Sequence, residues 1–236
     1  MLEGGGKKLY DVSGFDNHSA DISSTNMDPA TDWVPSLYGH ALEFDGVNQY
    51  VAIGEIEEPA NVTVLAWVRP GRTTNDESYV DYRQTGANSH GWVLQHVNNA
   101  GVRFLIYSGG GFRLTPVYAL TANTWYFLVG TYDGSTLRLY VDGVQRQIFS
   151  WSGSVSYHAD CVATIGARQD GANEFFQGAM AGALVYNRVF VPDEIQQHFE
   201  KPNDMLTLRR QVYPVAVAAA APTDGVARMM FLTGAI

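Results

Sequence analysis

At 236 residues the chain is long enough for one large all-β domain with an appendage. A formal net charge of −9 sets its body against nucleic acid and anionic membrane surfaces, and no apolar run approaches the roughly 18 residues that a membrane span requires. A single cysteine, Cys161, excludes an intrachain disulfide, and its apolar setting in Cys161-Val162-Ala163 predicts a buried thiol rather than a reactive one. The chain opens on Met-Leu-Glu-Gly-Gly-Gly-Lys-Lys, which lacks the apolar run of a signal peptide, so folding in a cytoplasm is the expectation.

From about residue 40 to 190, short β-prone runs alternate with turn chemistry at fairly even spacing, the pattern of a sandwich rather than of βαβ units. Asp-Gly recurs at 45–46, 133–134, 142–143 and 170–171, and each predicts a tight turn because both residues tolerate left-handed backbone. Val62 to Val68 is apolar on both faces and stops at Pro70-Gly71, as an interior strand would. Trp125 to Tyr132 meets Asp133-Gly134-Ser135, and the returning strand alternates Leu137, Leu139 and Val141 with Arg138, Tyr140 and Asp142, so one face enters a core. Pro192 to Phe199 predicts a short helix with proline and acids in its first turn, Ile195 and Phe199 sharing one face, and Pro202 as its stop.

Beyond the helix the composition changes. Residues 201–236 carry Lys201, Arg209, Arg210 and Arg228 against Asp204 and Asp224, reversing the acidic balance of the body, and the segment includes the low-complexity run 215–222. We divide the chain into a lead (1–9), a sandwich (10–200) and a C-terminal arm (201–236). Leu206, Leu208, Val212 and Tyr213 flank Arg209 and Arg210 in the arm, and Met230 and Phe231 lie near its end. A tail exposing such residues invites aggregation, so docking on a partner is the expectation, with folding back onto its own sandwich as the alternative.

In order, Asp11-Val12-Ser13-Gly14, Ala41 to Val51 (Ala-Leu-Glu-Phe-Asp-Gly-Val-Asn-Gln-Tyr-Val), Ala66-Trp67-Val68-Arg69-Pro70, Trp125 to Gly143, Thr164-Ile165-Gly166, Phe176-Gln177-Gly178 and Tyr186 to Phe190 resemble the laminin G-like domains of the concanavalin A-like superfamily. The resemblance covers about residues 10–200. It implies an all-β fold: a two-sheet antiparallel jelly-roll sandwich with a short C-terminal helix, here followed by an extended arm. Phe44, Trp67, Trp125 and Tyr186 then fall where core or sheet-packing aromatics are expected. Members often carry an acidic pair where this chain has Ala181 and Gly182, which puts calcium in doubt, because calcium takes six to eight oxygen ligands.

Catalytic patterns are not met. Related glycosidases set three carboxylates at alternate strand positions, whereas here Glu43 and Asp45 are followed by Val47, leaving Glu43 as a solvated strand residue and Asp45 as a turn former. No zinc spacing, nucleophile elbow or phosphate loop is present, and Ser108-Gly109-Gly110-Gly111 reads as a hairpin. We therefore expect a binding protein rather than an enzyme, with neither metal nor other cofactor.

Two functional readings remain. In the first, the sandwich is a phage virion accessory, a capsid decoration or head- or tail-associated protein. The arm residues Leu206, Leu208, Arg209, Arg210, Val212, Tyr213, Met230 and Phe231 dock it on a capsid protein, another virion protein or neighbouring copies. That reading places it in a virion assembled in the host cytoplasm. In the second it is a lectin-like module outside a virion that binds a glycan, for instance at a cell surface, through an aromatic platform drawn from Trp92, Tyr107, Phe112, Trp151 and Tyr157 beside Gly- and Ser-rich loops.

Overall fold

A computed structural model describes residues 6–10, 17–36, 39–84, 90–171, 173–202 and 227–228. Two antiparallel sheets face each other. The larger runs β1 (Trp33–Ser36), β2 (Gly39–Asp45), β13 (Gln177–Tyr186), β4 (Val62–Pro70), β9 (Tyr126–Tyr132), β10 (Thr136–Val141), β11 (Val144–Ser150). The smaller runs β3 (Val51–Gly54), β12 (Cys161–Ile165), β5 (Glu77–Gln84), β6 (Trp92–Val97), β7 (Gly101–Ser108), β8 (Gly111–Leu114). Several neighbouring strands are far apart in the chain (β2 with β13, β13 with β4, β4 with β9, β3 with β12 and β12 with β5), so the sheets close by crossovers as a jelly roll does.

The main core lies between the sheets. Phe44, Val62, Val64, Leu128, Leu137, Leu139 and Val141 enter it from the larger sheet, and Tyr82, Trp92, Leu94, Phe104 and Ile106 from the smaller. The alternation of Leu137, Leu139 and Val141 thus points inward as expected, and Cys161 of the smaller sheet is buried in the same core. At the turn into β11, Asp142 and Gly143 both take positive φ, 53° and 78°, the backbone of a tight hairpin whose twist suits the flanking strands.

A second core explains why β4 is apolar on both faces. Leu65, Trp67, Phe127, Val129, Tyr140 and Leu184 project outward from the larger sheet and are covered by α1 (Pro192–Glu200) and the loop before it. Trp67 stacks on Phe127 (centroids 4.5 Å apart) and on Phe199 of the helix (5.9 Å), while Ile195 is buried beside them. The side chain of Thr63 ties the preceding loop to β4, donating to the Arg188 carbonyl at 2.8 Å and accepting from the Phe190 N–H at 3.0 Å. Phe44, Trp67 and Tyr186 are buried, as their positions predict, whereas Trp125 sits half-buried at the edge of this second core.

Beyond residue 202, the described residues are Ala227 and Arg228, which form β14 and pair with Tyr186 and Val185 of β13. That contact returns the chain to its own sandwich. The expected docking residues Leu206, Leu208, Arg209, Arg210, Val212, Tyr213, Met230 and Phe231 lie outside the described residues.

Candidate functional site

The outer face of the smaller sheet has no helix over it among the described residues, and it is polar where the outer face of the larger sheet is apolar. Strand register sets the rows: Asp81 opposes Val93, Val93 opposes Leu105 and Leu105 opposes Leu114, while Gln95 opposes Arg103 and Tyr107 opposes Phe112. Side chains directly opposite in a ladder share a face, so charged, amide and aromatic groups converge on one surface.

At its centre Arg83, 2% exposed, donates from Nε to Asp81 at 2.8 and 3.1 Å and from Nη2 to the same carboxylate, to Ser78 Oγ at 3.2 Å and to Glu174 at 2.9 Å. Ser78 also donates to Glu174 at 2.7 Å. A charge removed from water in this way persists only when paired and hydrogen-bonded. Burial acts to depress the Arg83 guanidinium, but Asp81 and Glu174 more than offset it and hold its pKa above the ordinary value. Glu174 reaches the network from the loop before β13 with φ of 54°, a left-handed backbone that is uncommon outside glycine and that surrounding contacts must hold in place.

Over this network opens a cleft of about 250 Å³ lined by Asp76, Arg83, Gln95, Val97, Arg103, Leu105, Phe112, Leu114 and Glu174. Its size is just under the roughly 300–1,000 Å³ typical of small-molecule sites, which suits one or two small polar rings. Gln95 accepts from Arg103 Nε and Nη2 at 3.1 and 2.8 Å in the amide orientation that satisfies both groups. Phe112 meets Tyr107 edge to face at 5.4 Å, Tyr107 meets His90 at 5.0 Å and His90 meets His158 at 5.4 Å, so an aromatic strip leads away from the cleft. Gly91 keeps that strip close to the sheet: a Cβ there would stand 1.7 Å from the Tyr82 carbonyl oxygen. A wider groove of about 390 Å³ on the larger sheet is lined by Val34, Pro35, Ser36, Glu43, Arg69 and Trp125, but Arg69 is already paired with Glu43 at 3.0 Å.

With this geometry in hand, comparison with known proteins decides the family: a family model described as the concanavalin A-like lectin/glucanases superfamily matches residues 45–196. The chain belongs to that superfamily. No match was found among curated protein sequences. Among solved structures, this concanavalin A-like domain is similar to domain 4 of AbnA, a GH43 extracellular arabinanase from Geobacillus stearothermophilus in complex with arabinotriose. The TM-score is 0.58 at 15% identity, over 70% of this chain and 79% of that one. It is also similar to the heptameric SAP-like pentraxin from Limulus polyphemus (TM-score 0.53, 14% identity, 66% and 80% covered). The botulinum neurotoxin serotype D binding domain gives a TM-score of 0.54 at 12% identity over 73% of this chain and 45% of that one, so this chain spans less than half the toxin domain. At these identities the likeness is one of fold.

Within the concanavalin A-like frame the five aromatic candidates separate. Tyr107 and Phe112 stand together on the outer face, and Phe112 lines the cleft. Trp92 requires a correction: it is fully buried between the sheets against Tyr82 and offers no face to a ligand. Trp151 is half-buried with the Arg113 guanidinium 3.6 Å above its ring and its N–H given to Ser108 at 3.0 Å, so its ring is already stacked. Tyr157 packs beside Tyr82 and donates to the Pro59 carbonyl at 2.8 Å. The polar groups of the cleft, Asp76, Arg83, Gln95, Arg103 and Glu174, were not singled out from sequence. Their signal is polar residues at alternate positions in otherwise apolar strands, as in Asp81-Tyr82-Arg83.

The two carboxylates weighed from sequence have structural roles. Asp45 accepts from the N–H groups of Val47, Asn48 and Gln49 at 2.8 to 3.3 Å, which makes it the turn former expected, and Glu43 pairs with Arg69. No group of three or more His, Cys, Asp or Glu is placed to hold a metal among the described residues. Burial pushes the Cys161 thiol up, away from nucleophilic use.

Proposed function

We propose that this concanavalin A-like domain is a non-catalytic carbohydrate-recognition module whose site is the cleft on the outer face of the smaller sheet. One observation carries the reading: the buried, paired charges of Arg83 and Asp81, joined by the part-buried Glu174, hold hydrogen-bonding groups beside an aromatic ring, Phe112, in an open cleft on a sheet with no helix over it among the described residues. Sugars present hydroxyls that need fixed donors and acceptors, and C–H faces that pack on aromatic rings, so this pairing of chemistries suits them. The arabinotriose complex of the arabinanase domain supports the reading by fold analogy. Arabino-oligosaccharides are therefore the first probes.

Calorimetric titration with a panel of neutral and acidic oligosaccharides tests it. Phe112→Ala is expected to weaken binding about 5- to 10-fold, the scale of one aromatic contact of roughly 1 kcal/mol. Glu174→Gln, which keeps the hydrogen-bonding shape and loses the charge, should weaken it further. A folded domain that binds no member of the panel, or binds it equally well with Phe112→Ala and Glu174→Gln combined, ends this assignment.

As its setting we propose a virion surface, with residues 203–236 as the attachment. The support is the basic and apolar composition of that segment. Incorporation of the full chain and of a chain ending at Pro202 into particles tests the setting separately from sugar binding.

A further inference from the structure

The two guanidinium groups of the cleft are in different electrostatic states. Arg83 has two carboxylates, from Asp81 and Glu174, and its charge is spent. Arg103 is half-buried and has a neutral partner, the Gln95 amide; among the described residues no carboxylate comes within ion-pair distance of it. Burial acts on its guanidinium without a directly bonded anion to offset it, and its pKa falls below the ordinary value even though Asp76 and Glu174 stand nearby. A half-buried cation whose direct hydrogen-bond partner is a neutral amide keeps N–H groups that an anion can take.

The geometry also says what kind. Gln95 takes the Nε and Nη2 side of the guanidinium and so fixes its plane. The end formed by Nη1 and the second N–H of Nη2 is left, and two parallel N–H groups in one plane match a carboxylate bidentately. Phe112, Leu105 and Leu114 line the same cleft and give a ring an apolar bed. Asp76 and Glu174 line it too, where they accept hydroxyls and repel a second anion.

We propose that the cleft recognises a single uronic acid residue within an otherwise neutral glycan, its carboxylate seated on Arg103. This specificity rests on the carbohydrate-recognition reading above and narrows it. Matched pairs test it: neutral oligosaccharides, each beside the same oligosaccharide carrying one uronic acid, with the methyl ester of the acid as a third member. Binding to at least one acidic member at least 10-fold tighter than to its neutral and esterified counterparts is expected. Arg103→Gln should abolish that preference, and Arg103→Lys, which keeps the charge and loses the fork, should retain part of it. Neutral, esterified and acidic members bound equally would overturn the uronic acid assignment and leave carbohydrate recognition standing. Acidic members bound as well by Arg103→Gln would do the same. Absence of binding to every member by the folded domain overturns both. The ester comparison uses the unaltered protein, so the result does not depend on how the variants fold.

Discussion

The outer faces of the two sheets have been put to opposite uses. On the larger sheet, Trp67, Phe127 and Val129 face outward and are roofed by α1, so the strands are apolar on both sides and the face is spent on stability. On the smaller sheet the same positions carry Asp81, Arg83, Gln95 and Arg103, and the described residues place no helix above them. A roofed apolar face cannot meet a ligand, whereas an unroofed one pairs its buried charges, as Arg83 does, and keeps a half-buried one within a ligand's reach, as we propose for Arg103. One face makes the fold stable enough to tolerate the polar burial on the other.

The largest expected effect lies on the roofed face. Trp67→Ala removes the ring that stacks on both Phe127 and Phe199, and the cost should be about 3–5 kcal/mol, the usual range for a large aromatic lost from a core. Thermal melting should fall by about 6–20 °C at the 2–4 °C per kcal/mol typical of this size. Uronate binding on the opposite face should be unchanged below that transition. A loss under about 1 kcal/mol would mean the second core is not a core.

Next in size is an effect from between the faces. Glu77 begins β5, is 0% exposed, and accepts from Arg72 Nε at 2.6 Å and from the Gln177 N–H of the larger sheet at 3.3 Å, while its Oε2 has no hydrogen-bond partner among the described residues. Burial raises its pKa to about 7 from an ordinary 4.5 against the pull of Arg72. The folded state therefore binds a proton that the unfolded chain has released, and this contribution is lost as pH rises from about 4.5 to 7. At roughly 1.4 kcal/mol per pH unit the span is about 3 kcal/mol. His96 and His198, whose pKa values burial lowers, act in the opposite sense below about pH 6.5, so the informative quantity is the difference from Glu77→Gln. That variant should gain on the wild type from pH 5 to about 7 and level off above it in denaturant titrations; a constant difference across that range would show that Glu77 ionises freely.

The unequal legibility of the two faces has a physical cause. The run Val62 to Val68, the Asp-Gly turns at 45–46, 133–134 and 142–143 and the helix face of Ile195 and Phe199 are local patterns and are where they were expected, whereas Asp170-Gly171 ends a short 3-10 helix (Gln169–Gly171) instead of a hairpin. The cleft is not local. Arg83, Gln95 and Arg103 meet through the register of three strands, and Glu174 arrives from a distant loop in a left-handed conformation that its sequence does not announce. Trp92 was misplaced for a related reason. It begins Trp92-Val93-Leu94, apolar at three successive positions, so alternation is silent about which face the indole takes. Tyr107 and Phe112 could be paired because Gly109 and Gly110 turn the chain between them.

The smallest effect is expected from removing residues 203–236, and it bears directly on what roofs the larger sheet. If α1 is the roof, the second core is complete at Pro202, because Ile195 and Phe199 already cover Trp67 and Phe127. Among the described residues the deletion costs the two-residue pairing of Ala227 and Arg228 with β13, worth about 1 kcal/mol on the usual net value of backbone hydrogen bonds. A chain ending at Pro202 should therefore melt cooperatively within a few degrees of the full chain. A chain ending before Val191, which loses the helix as well, should fall by several times as much because the indole of Trp67 is then open to water. Loss of cooperative melting in the longer form would show that the C-terminal segment is part of the roof. The same chain, folded but no longer incorporated into particles, is the result expected if those residues are an attachment.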